Sequence, residues 1–192
     1  KDPRDEEDPS GLLDAGIDVA GPGEDETVLT IVSGPDIIFH KGWQTREGQD
    51  WGEVASELAP YKERLRRVNV DSIGVGWGLY LQLKALGYKA VAVNVGEAAT
   101  VAKDLGAPGG FRNLKAQLYW GMRLRFSDGD VHGLPSEAVG QLASIRYSHN
   151  SRGQVEIEGK DDAKKRGVKS PDKAESIMLA FAKTKKGGFE FV

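Results

Sequence analysis

The 192-residue sequence predicts an α/β fold: a mixed sheet whose three-stranded antiparallel meander is extended by parallel strands, with helices on the sheet and an added β-hairpin. Three observations predict it. The chain opens with three apolar runs, Leu12–Ala20, Thr27–Ser33 and Ile37–Trp43, separated by tight turns. Helix and strand patterns then alternate between residues 50 and 95, which implies crossover connections and parallel pairing. The composition, 39% hydrophobic and 29% charged, is that of an ordinary globular domain, and no apolar run reaches the 18 residues a membrane span needs.

Each element has a local cause. Gly21-Pro22-Gly23 ends the first strand, and Gly34-Pro35-Asp36 turns the second into the third. Asp50 is a capping residue for a helix to about Arg66, along which Val54, Leu58, Tyr61 and Leu65 recur at three- and four-residue steps. Val68–Val75 predicts a fourth strand, Trp77–Leu86 a helix stopped by Gly87, and Tyr88–Val95 a fifth strand. A glycine-rich loop fills 96–110. Arg112–Phe126 reads as a helix with Leu114, Leu118 and Met122 on one side. Leu142–Ser148 and Gln154–Glu158 read as the hairpin, 160–169 as a charged loop and Ser170–Lys183 as a final helix, with Ser170 as N-cap and Pro171 at its first position. Residues 1–11, mostly charge with two prolines, read as a linker, and 12–192 as the domain. The four tryptophans carry strand or helix spacing and are expected in the core.

The composition excludes several chemistries. Without cysteine there are no disulfides, zinc thiolates or thiol nucleophiles. His40, His132 and His149 have no ligand-like spacing. No G-x-x-x-x-G-K-[ST] loop is present, and Gly74-Val75-Gly76-Trp77-Gly78 lacks the dinucleotide spacing, so it reads as close backbone packing beside Asp71. The net charge of −3 is uneven: residues 1–26 hold 10 acidic and 2 basic side chains, and the remaining 166 hold 19 acidic and 24 basic. A basic surface therefore stays available for an acidic partner.

Three acids stand out. Asp18 lies in the first strand between Ile17 and Val19, and Asp71 lies in the fourth after Val70. A carboxylate within an apolar strand is costly unless it is paired or binds a cation, and two on strands that can be neighbours favour the cation. Asp172 falls in the first turn of the last helix, where the helix dipole favours a carboxylate, with Glu175 one turn on. Oxygen ligands of this kind suit Mg²⁺ or Mn²⁺, and two such ions can drive phosphodiester hydrolysis. Lys160, Lys164, Lys165, Arg166, Lys169 and Lys173 flank Asp172, and Arg146 and Arg152 lie in the expected hairpin; they read either as phosphate contacts or as solvated surface.

The ordered set of motifs is more specific. It comprises Gly16-Ile17-Asp18-Val19-Ala20 with Gly23, Asp25 and Thr27, then Val70-Asp71-Ser72-Ile73-Gly74-Val75-Gly76, and Val93-Asn94-Val95-Gly96-Glu97. Phe111-Arg112-Asn113-Leu114-Lys115-Ala116 with Tyr119-Trp120, and the basic run into Ser170-Pro171-Asp172, complete it. In these the chain resembles the nuclease domain of the large terminase subunit of tailed double-stranded DNA bacteriophages, which has a ribonuclease H-like, RuvC-like fold.

The resemblance implies that Asp18, Asp71 and Asp172 bind two Mg²⁺ or Mn²⁺ ions, with Asp18 the bridge, and that Asp25 and Glu175 are auxiliary. For Asp25 a place in a solvated acidic turn is the alternative, and for Glu175 an ion pair with Lys173 or Lys164. One departure is Glu175, where the family often has Asp. The implied function is a metal-dependent endonuclease that cuts concatemeric viral double-stranded DNA at initiation and termination of packaging. It implies work in the cytoplasm of the infected bacterial host, beside an ATPase motor domain, the portal and the small terminase subunit. The alternatives are a Holliday-junction resolvase or another ribonuclease H-like nuclease, and a non-catalytic DNA-binding packaging module.

Overall fold

Alternation along the first strand decides how the layers stack. The computed structural model describes residues 11–23, 25–45, 51–100, 106–185 and 188–190; the expected linker and the Asp50 cap lie outside these. Strand β1 (Leu13–Asp18) sends Leu13, Ala15 and Ile17 to one face and Asp14, Gly16 and Asp18 to the other. On the first face they pack with residues of β2 (Glu26–Ser33), β4 (Leu65–Asp71), α1 (Gly52–Leu58) and α2 (Gly76–Ala85), among them Leu29, Val70, Leu58 and Leu83. On the second face Val93, Leu118, Ile177, Met178 and Phe181 form a separate core between the sheet and the helices α3 (Leu114–Ser127) and α6 (Asp172–Phe181).

With β3 (Asp36–Gln44) and β5 (Ala90–Val93), the sheet runs β3-β2-β1-β4-β5. The first three strands are an antiparallel meander, and β1–β4 and β4–β5 are parallel. Chain direction across the sheet reverses its winding at the β1–β4 pair, and ligands in open α/β sheets bind at the carboxyl ends of the strands at such a point.

Helix α6 is buried almost all round, from Ala174 through Phe181. Gly16 makes this possible: a Cβ there would lie 2.1 Å from Ala180 N and 2.4 Å from Ser176 O, so the helix backbone rests directly on β1. Two polar ties fix its rotation. Asn69 Nδ2 of β4 donates to Leu179 O at 2.8 Å and Ala182 O at 2.7 Å, and the Thr30 and Ser176 hydroxyls hydrogen-bond across the β2 contact.

Several expectations are corrected. The helix before β4 is short, because Pro60 cannot continue an α-helical ladder; Ala59–Arg64 is a 3-10 turn and Leu65 already belongs to the strand. Residues 142–144, expected in a strand, end a helix α4 (Ser136–Ser144) whose Ala138, Val139 and Leu142 have helical spacing; the hairpin is confined to β6 (Tyr147–His149) and β7 (Val155–Ile157). The charged stretch after 160 contains a helix, α5 (Lys160–Lys165), with Asp161 and Asp162 in its first turn and Lys164 and Lys165 in its last, as the helix dipole favours. Helix α6 stops at Phe181, and β8 (Lys183–Lys185) and β9 (Gly188–Glu190) pair after it. Trp77 is half-exposed at the start of α2 rather than in the core.

Candidate metal centre

The parallel register of β1 and β4 places Ile17 beside Val70, so the next residues, Asp18 and Asp71, leave the carboxyl ends of the two strands side by side. Gly76 tightens the turn after Asp71: a Cβ there would fall 1.8 Å from Asp71 O. Over this edge lies the first turn of α6. Asp18, Asp71 and Glu175 each offer a carboxylate oxygen, and the three atoms lie within 4.8 Å of one another. Asp18 and Glu175 are buried and Asp71 is half-buried.

Asp172, one turn before Glu175, is also buried but is tied elsewhere, its Oδ2 accepting from Glu26 N at 2.8 Å. The helix start is capped from outside. Pro171 holds the cap position without a side-chain bond, Ser170 Oγ is buried without a partner, and Gln141 Oε1 of α4 accepts from Lys173 N at 2.8 Å and Ala174 N at 3.1 Å. The expected Ser170 cap is thus replaced by a distant glutamine.

The electrostatics are those of like charges confined together. Burial, and then Glu175, Asp172 and Asp71, push the Asp18 carboxyl well above the usual carboxylate range. Burial raises Asp71 too, while the Ile73 N–H, 3.0 Å from Oδ1, draws it back. Partial burial disfavours the Lys160 ammonium, yet Glu175, Asp18, Asp172 and Asp25 together hold its pKa above the ordinary lysine value. The Tyr119 phenol is raised by burial and then by Glu175, Asp18 and Asp172, and its hydroxyl is buried without a hydrogen-bond partner.

Three converging carboxylate oxygens with no sulfur or imidazole among them fit a hard divalent cation, whose charge removes the repulsion. Asp14 gives the contrast. It shares a strand face with Asp18 but sits at the other end, where Arg66 at 2.5 Å and Arg67 at 2.9 Å neutralise it.

The expected basic stripe divides. Lys165 pairs with Asp162 at 2.7 Å, Arg166 with Glu158, and Lys173 with Glu26. Lys164 and Lys169 line an open groove of about 1030 Å³ together with Asp25, Asp172 and Lys173. Arg146, Lys160 and Lys169 line a small cleft with Lys115, and Arg152 is exposed at the hairpin turn. In the sequence Lys115 and Tyr119 stand out only as parts of a motif. Their signal is the four-residue step that puts both on one face of α3.

No known protein family model matches the chain, and no curated protein matches it in sequence. Solved structures do. The nuclease domain of the large terminase subunit gp2 of bacterial virus Sf6, solved with calcium, matches with a TM-score of 0.73 at 20% identity over 88% of this chain and 87% of that one. The large terminase nuclease of thermophilic phage G20c matches with a TM-score of 0.60 at 19% identity, over 88% and 81% of the two chains. The large terminase of thermophilic bacteriophage D6E matches at 0.55 and 11% identity; this chain spans 38% of its length. The Sf6 domain has also been solved with manganese, and that of G20c with zinc. The fold is therefore that of terminase nuclease domains, a ribonuclease H-like mixed sheet.

Proposed function

We propose that this chain is a phage large-terminase nuclease domain, a divalent-metal-dependent endonuclease that cleaves concatemeric double-stranded DNA at the start and end of genome packaging. A fold alone does not assign a function, so the reading rests on the site. The observation that carries it is the meeting of Asp18, Asp71 and Glu175 within 4.8 Å at the carboxyl ends of the two central parallel strands.

Asp18, Asp71 and Glu175 would hold one Mg²⁺ or Mn²⁺ ion; Asp172, with Asp18 and the nearby Asp25, would hold a second. Such ions supply activation of the attacking water and stabilisation of the leaving 3′ oxygen. The chain supplies the rest. Glu26 N–H orients Asp172, and Ile73 N–H orients Asp71. Lys164 and Lys169 in the groove, Lys160 and Arg146 in the small cleft and Arg152 at the hairpin turn would contact phosphates, a mode that positions DNA without reading its sequence. Lys165 and Arg166, engaged by Asp162 and Glu158, contribute less. In the whole protein an ATPase motor domain, the portal and the small terminase subunit complete the machine, in the cytoplasm of the infected host.

The test is digestion of plasmid DNA with Mg²⁺, with Mn²⁺ and with chelator, alongside a four-way junction and an RNA–DNA hybrid. Cleavage of duplex in both metals is expected, with loss in chelator and in Asp18→Asn, Asp71→Asn and Glu175→Ala. Asp172→Ala removes a ligand of the second ion and is expected to lose cleavage as well. Cleavage by both Asp→Asn variants, or preference for junction or hybrid, overturns the reading.

A further inference from the structure

Among the described residues the acid cluster has a second neighbour of opposite charge besides Lys160, and it comes from α3. Asn113 caps this helix, its Oδ1 accepting from Ala116 N at 3.0 Å, which fixes the first turn. Leu114 N donates to Glu97 O and Lys115 N to Val95 O, both at 2.8 Å, so the helix start is bound to the chain leaving β5. Lys115 is thereby held at the edge of the sheet where Asp18 and Asp71 end. Its side chain is 19% exposed and runs past the Tyr119 ring, with Nζ 5.9 Å from the centroid, to reach Glu175 Oε1 at 2.5 Å. Its charge also bears on Asp71.

This ammonium is a built-in cation on a proposed metal ligand. A buried glutamate needs a counter-charge, and here it is covalently part of the protein and always present. A divalent ion entering the cluster meets a positive charge already paired with one of its ligands. We propose that Lys115 is a positioning residue that stands in for the metal's charge in the metal-free protein, holds the cluster assembled, and in doing so limits how tightly the site binds a divalent ion. The inference rests on the metal-binding reading above. It predicts opposite effects on two quantities: loss of the lysine charge weakens the metal-free fold and strengthens metal binding.

The experiment is calorimetric titration of Mn²⁺ into metal-free protein, with thermal denaturation in chelator and in Mn²⁺, for wild type, Lys115→Met, Lys115→Gln and Lys115→Arg. Lys115→Met and Lys115→Gln are expected to bind Mn²⁺ at least about tenfold more tightly, since a unit positive charge a few ångströms from a divalent ion is worth at least that at an effective dielectric near 20. Both are expected to melt lower than wild type in chelator and to gain more on adding Mn²⁺. Lys115→Arg keeps the charge and is expected to behave as wild type in both measurements. If Lys115→Met folds only with Mn²⁺ present, that too supports the stand-in role, and Lys115→Gln then supplies the affinity. Unchanged or weaker Mn²⁺ binding in the uncharged variants, with wild type binding normally, overturns the role of Lys115 alone. Absence of Mn²⁺ binding by wild type, or binding unaltered by Asp18→Asn, overturns the metal site and this inference with it.

Discussion

Replacing Asp18 by Asn removes the charge that the metal-free site accommodates worst, so the variant is expected to be more stable and inactive. Asp18 is 7% exposed and has carboxylate oxygens of Asp71 and Glu175 within 4.8 Å. Two unit charges 4.8 Å apart repel by about 3.5 kcal/mol at an effective dielectric near 20. The nearby Lys160 charge offsets some of this, which leaves a gain of about 2 kcal/mol, or about 4–8 °C in Tm for a domain of this size. The pH dependence has a definite sign. The folded-state pKa of Asp18 lies above its ordinary value of 3.8, so between the two values the native state binds more protons than the unfolded chain, and wild-type stability falls as pH rises. The advantage of Asp18→Asn is therefore absent near pH 3.8, opens above it, and is complete above the folded pKa. Thermal denaturation of both proteins in chelator at pH 4 and pH 7.5 measures the gap. Adding Mn²⁺ at pH 7.5 is expected to raise wild type and leave the variant where it was. A variant no more stable than wild type at pH 7.5 in chelator, or a gap of equal size at both pH values, refutes the reasoning.

Two further outcomes are expected. Gly16→Ala forces a Cβ to 2.1 Å from Ala180 N and 2.4 Å from Ser176 O, backbone atoms that cannot step aside; α6 must lift off β1, at a cost of about 3 kcal/mol or more, and carry Glu175 away from Asp18. Thermal denaturation and cleavage should fall together, and wild-type Tm in this variant would show that the helix is not seated as described. For DNA binding, Lys164→Ala with Lys169→Ala is expected to flatten the log–log salt dependence of duplex affinity by about 1.8, at about 0.9 per phosphate contact. Arg166→Ala should leave that slope unchanged and lower Tm instead, because Glu158 loses its partner; fluorescence anisotropy across a salt series separates the two.

What is legible in the sequence is what has a local cause. Alternation and glycine punctuation mark β1 to β5, and an aspartate at the end of an apolar run marks Asp18 and Asp71. The limits are equally physical. Asp14 is an acid in the same strand, and only the distant Arg66 and Arg67 make it a structural ion pair. The choice between Asp172 and Glu175 depends on how α6 is rotated, which Gly16, Asn69 and Thr30 set from three different strands. Which basic residues face the open groove depends on where Glu158, Asp162 and Glu26 fall, and an alternating apolar pattern in 142–148 conceals the end of α4.

The seat of α6 on Gly16 also has a consequence for assembly. Asp18 and Asp71 are brought together by strands that lie within the first 93 residues, and β5 closes that part of the sheet at Val93. Glu175 joins them only when a helix about 160 positions further along the chain than Gly16 docks onto the strands, a contact of high sequence separation. Without that docking Asp18 and Asp71 stand side by side without Glu175, and Lys115 has no Glu175 to pair with. A copy in which α6 has not docked therefore holds an incomplete acid cluster.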